Sequence, residues 1–312
     1  MKTKEEGSSS NFKLILILLL IACVTQFSTD IYLPSIPAIS KYFAASISAS
    51  QWTIPIFMIG LAVSQLFYGP ISDGIGRHKP LLFGLSVALV GTVLCVFATS
   101  IQMLLAARLL QGLGVGACSS LWRSIFRDSF EGDEMAKYLS YCIMAFVFVG
   151  PAVPVVGGYL QHYIGWRANF VALFFYIVIT FIVVIFILPE TNKHTDKNKL
   201  KLKYIYGSYK ELLTSRVFII NSLFSFLVCG GTWGWITTAP VILMEHAHIS
   251  AVHFGWIMLI SAAIPFALSG YTNAKLVKKF GTGVMLCFGW FCIFLSGILM
   301  LLAYHIFGVN LW

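Results

Sequence analysis

An aspartate and an arginine lie inside long apolar stretches of the sequence, where charged side chains are rare. Asp30 lies near the end of the apolar stretch that follows Lys13, and Arg108 lies eight residues after Ser100 in another stretch. If these stretches are membrane helices, a guanidinium at this depth costs roughly 2.5 to 3.5 kcal/mol, so it faces a polar cavity or a partner. We therefore expect the two residues to lie at a similar depth and to share one polar cavity.

The chemistry open to such a pair is the exchange of a proton or of a cationic ligand. Burial favours the neutral form of Asp30, whereas a nearby guanidinium favours the ionised form, and a carboxyl group balanced between them exchanges protons readily. Gln26, one helical turn before Asp30, and Gln111, near Arg108, extend the polar stripe. In the alternative interpretation, Asp30 only ends its helix at the membrane surface and Gln26 makes a packing hydrogen bond.

The elements that carry these residues are predicted from composition and from the length of the apolar runs. Hydrophobic residues make up 58% of the 312 residues and charged residues 11%, against about a quarter charged in a soluble domain, which excludes a water-soluble globule. Apolar runs of about 20 residues match a hydrocarbon layer of ~30 Å. We predict an all-α polytopic transmembrane bundle with nine spans, at residues 13–35, 50–70, 79–99, 101–123, 137–161, 168–188, 217–241, 252–272 and 282–304.

The basic residues indicate how the spans are oriented. With the N-terminus in the cytoplasm, Lys41 and Arg167 are the only ones of the 21 lysines and arginines on the outer side, and Arg108 lies within a span. This asymmetry follows the positive-inside rule and fixes the orientation. Because the basic residues lie in loops rather than on one amphipathic face, the net charge of +9 indicates topology and no nucleic-acid partner.

The longest polar stretch divides the chain into two unequal parts. We predict a six-helix transmembrane half at 1–188, a basic cytoplasmic linker at 189–216, and an incomplete second half of three spans at 217–312. The linker lysines are either a solvated orientation signal or a site for anionic lipid headgroups. A faint repeat supports duplicated halves, since GPISDGIGRHK follows span 2 and GYTNAKLVKKFG follows span 8.

Span 5 contains the sequence GPAVPVVGG, which is unusual inside a helix. Pro151 and Pro154 each remove a backbone donor, whereas Gly150, Gly157 and Gly158 permit close contact between helices. This composition predicts a bent helix that moves or gates, although a kink in an inert bundle is the alternative. The small residues of RLLQGLGVGA in span 4 indicate close packing only.

The loop after span 2 combines glycines with charged residues at the predicted cytoplasmic face. Arg77 and Lys79 are explained by the positive-inside rule, but Asp73 is not. Together with the flanking Gly69 and Gly76, these residues form a candidate cytoplasmic loop motif.

Motifs for other classes of protein are missing from the sequence. We find no Walker glycine loop and no HExxH, GxSxG or GxGD pattern, so neither ATP hydrolysis nor an embedded hydrolase is expected, and the chain is not predicted to be an enzyme. Glu245, His246 and His248 are close in sequence, but no second group of ligands accompanies them. We therefore expect no metal site.

Seven motifs, in this order and spacing, resemble the major facilitator superfamily and its Bcr/CflA drug-resistance branch. They are TDIYLPSIP, GPISDGIGRHK, RLLQGLGVGA, RSIFRD, GPAVPVVGG, GWRANF and LPET, and the resemblance covers nearly the whole chain. The resemblance implies a multi-pass protein of the bacterial inner membrane that exports small amphiphilic drugs in exchange for protons. We expect it to be a monomer. The proton gradient would supply the energy, with no cofactor.

The resemblance also implies roles for the residues singled out above. Asp30 would be the acidic proton or substrate site, and Arg108 the span 4 arginine linked to proton relay. The span 5 motif would be the antiporter motif. The loop after span 2 would hold the cytoplasmic side closed against a helix of the second half.

The chain departs from the family pattern in one respect. Members of the family have twelve spans, whereas nine are predicted here, so the sequence is expected to be a fragment or a truncated product. The alternative function is therefore a non-transporting remnant, or a half-transporter that depends on a partner.

Overall fold

The computed structural model describes residues 2–192, 195–196 and 200–307, and the described residues fold into helices joined by short turns. A 3-10 turn follows the first helix at Leu33–Ser35, and a π-helical turn lies at Val241–His246. The prediction of an all-α protein is confirmed. The helices are α1 (Lys2–Asp30), α2 (Ile36–Tyr42), α3 (Ile47–Gln51), α4 (Thr53–Ile75), α5 (His78–Val96), α6 (Ile101–Ser129), α7 (Gly132–Tyr163), α8 (Trp166–Ile187), α9 (Leu202–Thr214), α10 (Arg216–Pro240) and α11 (Ala251–Phe307).

Among the described residues, eight helical stretches are long and apolar enough to cross a membrane, and they coincide with the first eight predicted spans. The ninth predicted span contains a shorter apolar helix at Gly283–Leu299, below the usual length of about 20 residues. Gly281, with φ of 78°, interrupts α11 between the eighth of these stretches, Ala251–Thr272, and the shorter helix. The stretches are Asn11–Tyr42, Ile47–Ile75, His78–Val96, Ile101–Ser129, Lys137–Tyr163, Trp166–Ile187, Arg216–Glu245 and Ala251–Thr272.

Helix α6 packs simultaneously against α4 and α5, which brings its polar side chains into the middle of the bundle. A Cβ atom added to Gly112 would overlap the carbonyl oxygen of Phe57 in α4, and one added to Gly114 would overlap the backbone nitrogen of Ala88 in α5. The small residues of α6 therefore allow backbone-to-backbone contact on two sides.

The two ends of the bundle differ in how the first eight helices meet α10 and α11. The end with the α2–α3 turn and Val241–His246 is called the Lys41 end, and the end with the α4–α5 turn and α9 is called the linker end. Helix α7 packs along α11, where a Cβ atom on Gly158 would overlap the carbonyl oxygen of Ala251. Helix α10 is buried at Ala239 and Pro240 but exposed over 216–232. The two groups of helices, α1 to α8 and α10 with α11, therefore meet at the Lys41 end and separate towards the linker end.

Polar contacts reinforce the closure at the Lys41 end. Lys41 and Glu245 form an ion pair with an N–O distance of 3.6 Å. The side-chain amide of Gln51 donates to the carbonyl oxygen of Thr237 at 3.0 Å. The indole of Trp256 donates to the Tyr159 hydroxyl at 3.4 Å.

The close approach of α7 to the chain after α1 gives a test of the packing. A Cβ atom on Gly157 would overlap the carbonyl oxygen of Ile31, so Gly157→Ala should force the helices apart and destabilise the protein by about 1 to 3 kcal/mol. Thermal unfolding of the purified protein in detergent measures this change.

Gly230→Ala is the matched control, because nothing lies within 4 Å of the position of its Cβ atom. There, alanine should leave the unfolding temperature unchanged or raise it, since glycine disfavours helix by about 1 kcal/mol. Equal unfolding temperatures for the two variants would contradict the packing.

Candidate functional site

Arg108 lies at the centre of the first six spans, with none of its surface exposed. Its Nη1 atom donates to the carbonyl oxygen of Ser28 in α1 at 2.9 Å and to Oε1 of Gln111 in α6. Its Nε atom donates to the carbonyl oxygen of Thr53 in α4 at 3.3 Å. One guanidinium thus links three helices through oxygen acceptors.

Two aromatic rings cover the faces of the same guanidinium. The Cζ atom of Arg108 lies 4.3 Å from the ring centroids of both Tyr32 and Phe57. Each cation–π contact of a desolvated cation contributes about 2 kcal/mol, so the rings offset part of the cost of burial. The amide of Gln111 in turn donates to the Thr92 hydroxyl of α5 at 2.7 Å, which extends the network to a fourth helix.

Asp30, the last residue of α1, is 9% exposed. Its Oδ1 atom is buried and has no hydrogen-bond partner among the residues that the structure describes. The nearest contact of Arg108 to α1 is at Ser28, two residues earlier, so the two charged groups lie at about the same depth. They do not form an ion pair within 4.0 Å, since the ion pairs among the described residues are elsewhere.

The sequence predicted that Arg108 and Asp30 share one polar cavity, but in the structure Arg108 is fully enclosed. No accessible surface remains on Arg108, because backbone carbonyls, Gln111 and two aromatic rings surround it. The structure therefore brings Arg108 and Gln111 into one network and leaves Asp30 beside it.

Gln26 and Asp30 are four residues apart on α1, and this face turns towards α7. The position of a Cβ atom on Gly150 lies 2.8 Å from Nε2 of Gln26, so the absence of a side chain there makes room for the glutamine.

Helix α7 continues as one helix from Gly132 to Tyr163 through Pro151 and Pro154. Pro154 is buried and Pro151 is half-buried, and the Pro154 carbonyl faces Gly255 of α11.

The loop motif forms a second polar network at the linker end. Arg77 is 8% exposed and donates to Oδ2 of Asp128 at 2.9 Å, to Oδ1 of Asp73 at 2.5 Å and to the Ser72 hydroxyl at 2.6 Å. Burial acts to lower the pKa of Arg77, but its hydrogen bonds and charge interactions with Asp128 and Asp73 outweigh burial and raise it. The network therefore joins the ends of α4 and α6.

Glu190 completes this network from the chain that follows α8. Its carboxylate accepts hydrogen bonds from the backbone N–H groups of Arg77 at 2.8 Å and His78 at 3.1 Å. Burial acts to raise the pKa of Glu190, but the N–H groups of Arg77, Asn192, His78 and Thr191 outweigh it and lower the pKa. Gly76 has φ of 95°, and a Cβ atom there would overlap the carboxylate, so glycine is required for two reasons.

Asp128 and Glu190 belong to the motifs RSIFRD and LPET but were not predicted as site residues. Of the other residues of the predicted loop motif, Lys79 is exposed and Gly69 has no close neighbour at its Cβ position.

A cavity of about 310 Å³ lies between the two groups of helices at the Lys41 end. Lys41, Glu245, Gln161 and His162 contribute to its lining. Glu245 pairs with Lys41 there, and the side chain of His246 lies outside the described residues. In the part of the chain that the structure describes, no three His, Cys, Asp or Glu residues are grouped to hold a metal ion.

Comparison with known proteins gives consistent matches. The Major Facilitator Superfamily profile matches residues 18–312. The chain is 28% identical to the bicyclomycin resistance protein homolog of Haemophilus influenzae, over 94% of this chain and 74% of that protein. It is 27% identical to multidrug resistance protein D of Escherichia coli K12, over 97% of this chain and 75% of that protein.

Solved structures match in fold. A bacterial homolog of the human lysosomal transporter Spinster, crystallised in an inward-facing and unoccupied conformation, matches with a TM-score of 0.66 at 18% identity, over 89% of this chain and 67% of that chain. The chain spans roughly two thirds to three quarters of the length of the curated relatives that it matches.

The Glu190 network predicts a dependence of stability on acid pH. A carboxylate with a lowered pKa stabilises the folded state above its unfolded pKa of about 4.3, and this contribution is lost as pH falls through the folded value. Glu190→Gln should therefore lower the unfolding temperature near neutral pH and reduce its decline below about pH 4.5.

Thermal unfolding between pH 3 and 7 measures this effect, with Glu134→Gln, which changes an exposed residue of α7, as the control. Parallel curves for wild type and Glu190→Gln would show that the carboxylate does not hold the turn.

Proposed function

Because the chain belongs to the Major Facilitator Superfamily, a family of membrane transporters rather than enzymes, we propose that it exports small amphiphilic drugs in exchange for protons. The observation that carries the proton-coupled part of this proposal is the buried Oδ1 atom of Asp30, which has no hydrogen-bond partner in the described part of the chain. The names of the relatives in Haemophilus influenzae and Escherichia coli support the drug-export part.

The environment of Asp30 supports its role as the proton carrier. An ionised carboxylate buried without a partner costs several kcal/mol, and binding of a proton removes that charge. Arg108 does not form an ion pair with Asp30 among the described residues: its Nη1 and Nε atoms donate to three oxygen acceptors, and its buried Nη2 atom has no partner there. Asp30 would therefore hold a proton while enclosed and release it when water reaches the site.

A drug with an apolar body and a polar group suits the surroundings of Asp30. Ile31 and Tyr32, which follow it, belong to a buried apolar cluster against which Trp233 and Trp235 of α10 pack. Aromatic and aliphatic surface next to a carboxyl group favours an amphiphilic molecule, with the aromatic rings covering its apolar part. This site would lie between the two groups of helices.

Closure at one end and separation at the other support alternating access. The α7–α11 contact and the Lys41–Glu245 ion pair close the Lys41 end, whereas α10 is exposed towards the linker end. We infer from the positive-inside rule that the linker end and the N-terminus are cytoplasmic, in a bacterial inner membrane. The structure then corresponds to an inward-facing state, in which the halves would rock about the central site.

Asp30→Asn tests proton coupling, because asparagine keeps the shape of the side chain but cannot carry a proton. In membrane vesicles that contain the full chain, an imposed proton gradient should drive drug export by wild type, and the variant should fall to the level of protein-free vesicles. Thermal unfolding should show that the variant is folded, since the substitution replaces an enclosed, protonated carboxyl group with a neutral amide of similar volume.

Glu134→Gln is the control for loss of an exposed carboxylate. Undiminished proton-driven export by Asp30→Asn would remove Asp30 from the mechanism. Export by neither wild type nor variant would contradict the proposed function itself.

A further inference from the structure

The linker helix α9 is strongly amphipathic. Its apolar residues Ile205, Tyr206, Tyr209, Leu212 and Leu213 recur at positions i, i+1, i+4, i+7 and i+8, which places them on one face of the helix. We call these five residues the apolar stripe. The other face carries Gly207, Lys210, Glu211 and Thr214.

The protein leaves most of the apolar stripe uncovered. Tyr206 is 70% exposed, Leu213 is 65% exposed, and Leu212 is also exposed. A contiguous apolar face of this kind marks an interaction site rather than a surface in contact with water.

The position of α9 indicates what covers the stripe. The Tyr209 hydroxyl donates to the carbonyl oxygen of Leu66 at 2.7 Å. Leu66 lies nine residues before the end of α4 at Ile75, about 13 Å along the helix at 1.5 Å per residue. The side chains of Leu66 and Phe67 there are half or more exposed, so one edge of the stripe adjoins the outer surface of a membrane-spanning helix.

The connection to α10 fixes the other end of α9. Only Ser215 separates the two helices, and its hydroxyl caps α10 by accepting a hydrogen bond from the Phe218 N–H at 3.4 Å. Helix α10 is apolar and exposed from its first turns, so α9 ends where a span begins. Both ends of the helix therefore lie near the bilayer boundary.

The charges around the stripe select the kind of membrane. Lys201 precedes α9, Lys210 lies beside the stripe, and Arg216 follows it, and all three are exposed, against a single exposed carboxylate, Glu211, on the helix. A basic amphipathic helix at this depth binds anionic headgroups while its apolar face enters the bilayer.

We propose that α9 is an interfacial helix, which inserts its apolar stripe into the leaflet at the linker end and holds anionic lipid headgroups with Lys201, Lys210 and Arg216. Because α9 leads directly into α10, this contact also sets the depth at which α10 enters the membrane. The inference does not depend on which molecule is transported or on proton coupling.

Hydrogen–deuterium exchange of the full chain in nanodiscs tests the proposal. Amides of α9 should exchange slowly in phosphatidylcholine nanodiscs and more slowly when phosphatidylglycerol is added. The variant Tyr206→Glu/Leu213→Glu should lose this protection in both lipids, whereas Ser208→Glu, which places a charge off the stripe, should retain it.

Lys201→Gln/Lys210→Gln/Arg216→Gln should retain the protection in phosphatidylcholine and lose the increase due to phosphatidylglycerol. At about 1 kcal/mol per basic residue, each should contribute about a fivefold change. Unchanged exchange in α6 confirms that each variant is folded.

Two results would overturn the proposal. Exchange in α9 that is the same with and without phosphatidylglycerol would exclude headgroup binding. Protection that depends on the number of chains per nanodisc, rather than on lipid, would identify a second copy of the chain as the occupant of the stripe.

Discussion

The arrangement of the first six spans depends on the buried guanidinium of Arg108. It binds backbone carbonyls of α1 and α4 and the side chain of Gln111 in its own helix, and two aromatic rings cover its faces. Removing one member of such a buried charged network costs about 3 to 5 kcal/mol, because the remaining groups stay buried without partners. None of these acceptors is a carboxylate, and among the described residues Asp30 forms no ion pair.

Close packing of the helices makes this burial possible. Glycines in α6 bring α4 and α5 within backbone contact, and Gly157 in α7 does the same for the chain after α1. The guanidinium is thereby enclosed with none of its surface exposed. The same glycine-rich part of α7 reaches α11, so the helix that bounds the Asp30 region also forms the closed end between the two groups of helices.

The sequence predicted the helices and the first eight spans from the length of the apolar runs, and it predicted from the cost of a buried charge that Arg108 does not face lipid. It placed Gln111 near Arg108 but did not predict the carbonyl oxygens of Ser28 and Thr53 as partners, since backbone carbonyls carry no sequence signal. Asp128 and Glu190 were missed because they follow the ends of different spans and meet Arg77 only in the fold. Helix α7 also continues through two prolines, because packing on both sides holds it.

The central claim is that Asp30 is an enclosed carboxyl group, without an ion-pair partner among the described residues, that binds and releases a proton. Infrared difference spectroscopy of the full chain in lipid, recorded against pH and compared with Asp30→Asn, tests it most directly. We predict a protonated-carboxyl band that weakens as pH rises and is missing from the variant. A protonated-carboxyl region that is identical for wild type and variant at every pH at which the protein is folded would show that Asp30 stays ionised, and would contradict the account.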